Sequence, residues 1–182
     1  DETNSPLVQN NIAYIVGVYQ DKPEEGLLIA KEAAKLAPRN PFIIDTVAEL
    51  YSRIGEYQKA ADTLEFLLQL DPSNSKAMAK LSLLYSDELG DPERGIVFAQ
   101  RGRSQNPHSP EVLDALGWGN YRTGKKEQGE EAIQRSLRYG DTMDAYLHLA
   151  QIVTENYEFE EALGHIRMAE ELAEDDYSKR RI

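Results

Sequence analysis

The sequence predicts an all-α protein, an α-solenoid of about five helix-turn-helix units with no sheet. Three observations carry that prediction. Small residues recur at a nearly fixed step: Gly26, Ala60, Gly95, Gly129 and Ala162 are separated by 34, 35, 34 and 33 residues. A second series, Ala33, Leu67, Gly102, Ser136 and Ala169, keeps the same steps, and a third, Pro38, Pro72, Pro107, Asp141 and Glu174, lies on the same ruler. Within each period, apolar residues fall at helical spacing in two runs split by a turn. A period near 34 means one supersecondary unit copied and stacked, which favours a binding surface over a buried catalytic pocket.

The units follow in order. The first opens with an apolar run, Leu7, Val8, Ile12, Ala13, Tyr14, Ile15, Val16, Val18 and Tyr19, then turns at Asp21-Lys22-Pro23-Glu24 into a helix marked by Gly26 and Ala33. The second is the cleanest. Asn40 can cap a helix and Pro41 suits its first turn. Ile44, Val47, Ala48 and Tyr51 share one face, and Gly55 ends the helix in a left-handed turn. Tyr57, Ala60, Leu64, Leu67 and Leu68 form the stripe of the second helix. Asp71-Pro72 closes it, because proline cannot extend the hydrogen-bond ladder. Ala48 and Ala60 are small where the two helices approach; Ala33 and its equivalents are small where a second helix meets the next unit. The third unit carries Tyr85, Asp91-Pro92-Glu93, Gly95 and Gly102. The fourth has Leu116-Gly117, Gly124 and Gly129, and the fifth Leu149-Ala150, Phe159, Ala162 and Ala169.

The run Ile44, Val47, Ala48, Tyr51, Gly55, Tyr57, Ala60, Leu64, Leu67, Pro72 resembles the tetratricopeptide repeat (TPR), with Leu67 in place of the usual small residue. Five copies in phase cover almost the whole chain, roughly 6–40, 41–74, 75–109, 110–142 and 143–176. Residues 177–182 read as the start of a cap or a further repeat, and 1–182 as a single domain. The resemblance implies a right-handed solenoid of the kind found in bacterial TPR proteins.

Two departures stand out. The markers Tyr51 and Ala60, Asn120 and Gly129, and Val153 and Ala162 are nine apart, whereas Val16 and Gly26, and Tyr85 and Gly95, are ten apart. The first and third copies are therefore expected to carry one extra residue in the turn between their helices. Three copies also place glycine where the family has alanine. Drift and a more deformable solenoid both account for it, and each helical glycine costs about 1 kcal/mol relative to alanine.

Composition bounds the function. No segment approaches the roughly 20 apolar residues of a membrane span. Cysteine is absent, which excludes disulfides and thiolate metal sites. The compartment stays open between cytoplasm and periplasm or envelope; the opening Asp1-Glu2-Thr3-Asn4 fits a processed protein or a cut fragment. Net charge is −12, with −10 in residues 141–176 and +3 in the tail through Lys179, Arg180 and Arg181. Such a chain should repel nucleic acid and anionic membranes. The acidic fifth copy reads either as a solvated face or as an attraction for a basic partner. His108, His148 and His165 are far apart in sequence, and no HExxH, phosphate loop or Ser-His-Asp constellation stands in a credible context. The expectation is a non-enzyme with no catalytic residue, metal or cofactor.

The TPR resemblance places function on the first helices, which line a concave groove through their second, fifth, ninth, twelfth and thirteenth positions. Copy 2 then offers Phe42, Asp45, Glu49, Ser52 and Arg53. Copy 3 offers Lys76, Ala79, Leu83, Ser86 and Asp87, with Lys80 at the neighbouring sixth position. Copy 4 offers Glu111, Asp114, Trp118, Tyr121 and Arg122, and copy 5 Asp144, Leu147, Gln151, Thr154 and Glu155. Asp45, Glu49 and Arg53 form one stripe at four-residue steps, and Asp114, Trp118 and Arg122 another. Trp118 with Tyr121 and Arg122 has the composition of a binding hot spot. A brace for a neighbouring helix accounts for Trp118 equally well. The carboxylate clamp of chaperone-binding TPR domains is mostly missing. Lys76 and Lys80 occupy two of its places, while Asn10, Tyr14 and Thr46 stand at others, so heat-shock chaperones are not the expected partners.

The expected function is a scaffold binding a protein or peptide in the groove, within a bacterial envelope or export assembly. The alternatives are a docking arm of a larger enzyme such as a glycosyltransferase, and a self-assembling scaffold. Self-association is expected through uncapped ends, from the apolar first helix and from Leu163, Ile166 and Leu172.

Overall fold

The computed structural model describes residues 5–173. The expectations on Asp1 to Asn4, on Glu174 and the last acids of the fifth copy, and on the tail 177–182 lie outside the described residues. Among the described residues there are ten α-helices and no strand. Contacts divide them into two compact units, residues 5–72 and 73–173, the division falling between the second and third copies.

The first unit holds α1 (Pro6–Tyr14), extended by a π-turn over Ile15–Tyr19, then α2 (Pro23–Leu36), α3 (Pro41–Arg53) and α4 (Tyr57–Leu70). Its core joins Ala13, Val18, Leu27, Ala30, Val47 and Leu50. The second unit holds α5 (Ser75–Leu83), extended by a π-turn over Leu84–Glu88, then α6 (Pro92–Gln105), α7 (Pro110–Arg122), α8 (Lys126–Ser136), α9 (Met143–Glu155) and α10 (Phe159–Leu172). Two clusters fill it. Ala79, Ile96, Ala99, Val112, Ala115 and Leu116 seal α6 against its neighbours, and Trp118, Tyr121, Ile133, Ala145, Leu149 and Ile152 seal α7, α8 and α9.

Local chemistry sets the helix boundaries. Asn40 accepts from the Phe42 amide at 3.0 Å, and Pro41 follows it at the first helical position. Asp91 caps α6 through the Arg94 amide at 3.0 Å, and Ser109 and Thr142 cap α7 and α9 in the same way. Every helix pair is joined by a three-residue turn whose middle residue is left-handed: Asp21, Gly55, Gly90, Gly124 and Tyr157. Tyr157 holds φ 65° with a large side chain, a conformation that costs an L-residue about 1–2 kcal/mol.

The extra residue of the first and third copies is not in the turn, as the spacing suggested, but in the helix before it. α3, α7 and α9 each run 13 residues. The first helices of the other two copies add a five-residue π-turn to nine α-helical residues. The Gln20 amide bonds to the Ile15 carbonyl at 3.0 Å and the Leu89 amide to Leu84 at 2.9 Å, both five residues back. An insertion reads the same in the marker spacing whether a helix or a loop absorbs it. Here the left-handed turn is kept and the helix widens by one residue.

The glycines at the close helix contact have a third cause, neither drift nor looseness. A Cβ on Gly129 would lie 2.7 Å from the Gly117 carbonyl oxygen, and one on Gly26 would lie 2.6 Å from the Gly17 Cα. These pairs pack backbone against backbone, closer than alanine permits.

Candidate functional site

The second unit builds a side-chain network across the first helices α5, α7 and α9. The π-turn after α5 carries Asp87, whose Oδ1 accepts from the Trp118 indole Nε1 at 2.6 Å and from Arg122 Nη1 at 2.9 Å. The Arg122 guanidinium also lies 5.6 Å from the centre of the Trp118 ring. Trp118 stacks with two further rings, His148 of α9 at 4.2 Å and Tyr121 of its own helix at 5.6 Å. Beneath the indole, His148 Nδ1 lies 2.8 Å from Asp114 Oδ1. At the far edge the Tyr121 hydroxyl donates to Glu155 Oε2, which Lys126 also approaches at 3.3 Å.

Burial sorts these residues by role. Trp118 and Asp114 are each 1% exposed and His148 is 6% exposed, so they form the interior of the network. Asp87, Arg122, Gln151, Thr154 and Glu155 are exposed above it. Trp118 is therefore not an open anchor on the surface. Its ring is covered by stacking and its N–H bonds Asp87.

The electrostatics are shaped by that burial. Desolvation pushes the Asp114 carboxyl above its ordinary value, against the opposing pull of His148. Burial alone would lower His148, but the charge and hydrogen bond of Asp114, followed by Asp144 and Asp87, outweigh it and raise the imidazole. Glu155 is lowered, first by the Tyr121 hydrogen bond and then by Lys126, although burial opposes both.

The other expected residues are placed differently. Asp45, Glu49 and Arg53 line α3 in the first unit, where Arg53 Nε lies 2.9 Å from Glu49 Oε1 within the same helix. Lys76 is exposed and Lys80 half-buried on α5. Of the remaining clamp positions, Asn10 is buried and the Thr46 hydroxyl donates to the Phe42 carbonyl of its own helix at 3.0 Å. Among the described residues, no group of three or more His, Cys, Asp or Glu side chains could hold a metal ion, and no helix is long and apolar enough to cross a membrane.

Sequence reasoning set His148 aside as an isolated histidine, and left Asp87 and Glu155 as two groove positions among many. The overlooked signal is the period itself. Asp114 and His148 are 34 apart, as are Tyr121 and Glu155, while Arg122 and Asp87 are 35 apart. Polar residues one repeat apart meet on adjacent first helices.

This arrangement of successive antiparallel helix pairs is the fold of solved tetratricopeptide-repeat proteins. The chain is similar to a thermophilic TPR protein of Thermus thermophilus, with a TM-score of 0.77 at 20% identity, covering 96% of this chain and 93% of that one. It is likewise similar to MamA of Desulfovibrio magneticus, with a TM-score of 0.66 at 19% identity, covering 93% and 95%. In sequence it is 23% identical over 131 residues to a TPR repeat-containing protein of Pseudomonas aeruginosa, a match over 72% of this chain. The chain spans about a fifth of that relative's length, 22%. No family model matches the chain.

Proposed function

We propose that the chain is a protein-interaction module, and that the α5–α7–α9 face of residues 73–173 takes a protein or peptide segment. The observation that supports this reading is the network under that face. Asp87, Trp118, Asp114 and His148 hold three consecutive first helices in one arrangement, and above them Arg122, Gln151, Thr154 and Glu155 are exposed. A preorganised polar face over a rigid aromatic layer loses little conformational entropy on binding. The test is quantitative capture of partners by the wild type, by Arg122→Ala with Gln151→Ala, and by a control Arg103→Ala on α6. Selective loss in the double variant with an unchanged melt supports the reading. Equal capture by all three overturns it.

A second reading, self-association, is favoured by one observation. Leu7, Val8, Ile12 and Ile15 stand 40–49% exposed along the first helix and its π-turn. Light scattering across a concentration series tests it, with Ile12→Glu expected to abolish any growth in mass. The envelope or export setting is proposed on the likeness to bacterial TPR proteins, and localisation of the full-length gene product tests it.

A further inference from the structure

The Asp114–His148 contact is a buried acid–base pair that the interaction reading does not use. It joins α7 to α9 and therefore ties the fourth helix pair to the fifth. Asp114 lies at the fifth position of α7 and His148 at the sixth position of α9; Thr46, Lys80 and Ala115 stand at that sixth position in α3, α5 and α7. The pair is specific to this one junction among the described residues at these positions. One face of the imidazole is covered by the Trp118 indole at 4.2 Å and an interplanar angle of 10°. The same indole is held from the other side by Asp87, through its N–H.

We propose that His148 and Asp114 form a proton-operated latch between the fourth and fifth helix pairs, closed when the imidazole is protonated and loosened when it is neutral. The chemistry follows from the surroundings. As imidazolium, His148 donates a charge-assisted hydrogen bond to a carboxylate that is otherwise buried without a compensating positive charge. It also presents a cation to the face of an indole, the ring with the strongest attraction for one. As neutral imidazole it still donates to the carboxylate, but it brings no positive charge, and the charge of Asp114 stands uncompensated in the interior.

The groups facing the ring all push one way. Asp114 comes from α7, Asp144 from α9 itself and Asp87 from the π-turn after α5, and all three favour the protonated ring. Arg122 of α7 is the one cation of the network close to the indole, and it is paired with Asp87. Of the charges on α8 and α10, Lys126 lies on Glu155, His165 lies 3.8 Å from Glu161, and Glu171 acts on Tyr146 of α9.

The direction with pH is then fixed. A histidine whose folded-state affinity for the proton exceeds its unfolded one adds stability that is fully present below about pH 6.5. That stability is lost as pH rises through the higher folded value. The upward shift of Asp114 has the same sign, since a carboxyl raised on folding also loses its contribution as pH rises. For each unit by which His148 titrates above its ordinary value, the opening equilibrium of α9 rises about tenfold across the transition.

The chain carries a single tryptophan, so Trp118 reports on the latch directly. A protonated imidazole in contact with an indole quenches its emission. The experiment is intrinsic fluorescence from pH 5 to 9, with amide exchange of α9 corrected for the intrinsic pH dependence. The expected result is emission rising with a midpoint above pH 6.5, and protection of α9 falling through the same midpoint while that of α3 holds. His148→Gln should flatten both responses. Should that variant fail to fold, proton resonances of the three histidines in the wild type decide the matter, with one titrating above 6.5 and shifting with the Trp118 signals. Flat emission, a midpoint at or below 6.5, or an α9 response that persists in His148→Gln would each overturn the proposal.

Discussion

Two stripes occupy the same positions on two first helices and behave differently. On α3, Asp45, Glu49 and Arg53 stand at four-residue steps; on α7, Asp114, Trp118 and Arg122 do the same. In α3 the middle residue is an acid, and Arg53 folds back onto it at 2.9 Å along its own helix. In α7 the middle residue is an indole that offers Arg122 only a ring face. The guanidinium therefore lies over the ring and reaches Asp87 on the preceding first helix. Asp114, below it, is met by His148 from the following one. Equal register thus carries different chemistry: an acid at the middle position of α3 takes a bond from its own helix, whereas the indole at that position of α7 leaves Arg122 to reach Asp87.

The largest expected effect comes from removing that middle residue. Trp118→Ala should cost about 3–5 kcal/mol, because it opens a cavity beneath α9 and removes one of the two donors to Asp87. Glu49→Ala, the same position on α3, opens no comparable cavity but takes a carboxylate from the buried Arg53 side chain, and should cost less, about 1–3 kcal/mol. Chemical denaturation checks both, and equal losses would break the contrast. Next in size is Gly129→Ala. Helix propensity alone predicts a gain of about 1 kcal/mol, but the added methyl meets the Gly117 carbonyl oxygen and the Tyr121 backbone. The expected result is a loss of about 1–3 kcal/mol, seen as a lower Tm. A rise in Tm would show that the fourth pair can spread.

Smaller effects sharpen the picture at the turns and the rim. Tyr157→Gly should raise stability by about 1 kcal/mol, since it removes the left-handed cost while giving up an exposed edge contact with Phe159. Arg122→Ala should change stability by less than about 1 kcal/mol, because its ion pair with Asp87 is more than a third exposed on the arginine side. Its effect should fall on partner capture instead.

The helices and turns were legible because their determinants are local. Asn40 before Pro41, Gly55 after the first helix of the second copy, and Asp91 before Pro92 each announce a boundary within a few residues, and the structure uses them as expected. The five-fold register was legible because it repeats. What escaped depends on distances between helices. The marker spacing counts the inserted residue near Tyr85 but cannot show that it widens the helix and so carries Asp87 toward α7. Gly129 is visibly small, yet only the approach of the Gly117 carbonyl shows that alanine would not fit. His148 has no helical equivalent with the same chemistry at α3, α5 or α7, so no repetition pointed to it. Trp118 read equally as an anchor or as a brace, because its position faces inward in the repeat; its burial is set by His148 and Asp87, which sit one repeat away on either side.

The α7 stripe locks successive first helices together through Trp118 and Asp87. A double-mutant cycle of Trp118→Phe and Asp87→Ala tests it most directly. Phenylalanine keeps a stacking ring but loses the N–H that Asp87 accepts from at 2.6 Å; the cavity left by its smaller ring is common to both arms of the cycle and cancels. The expected coupling energy is about 1.5–3 kcal/mol, the range of a hydrogen bond to a charged group. Strict additivity, with coupling below about 0.3 kcal/mol, would contradict it and leave Trp118 as core filling alone.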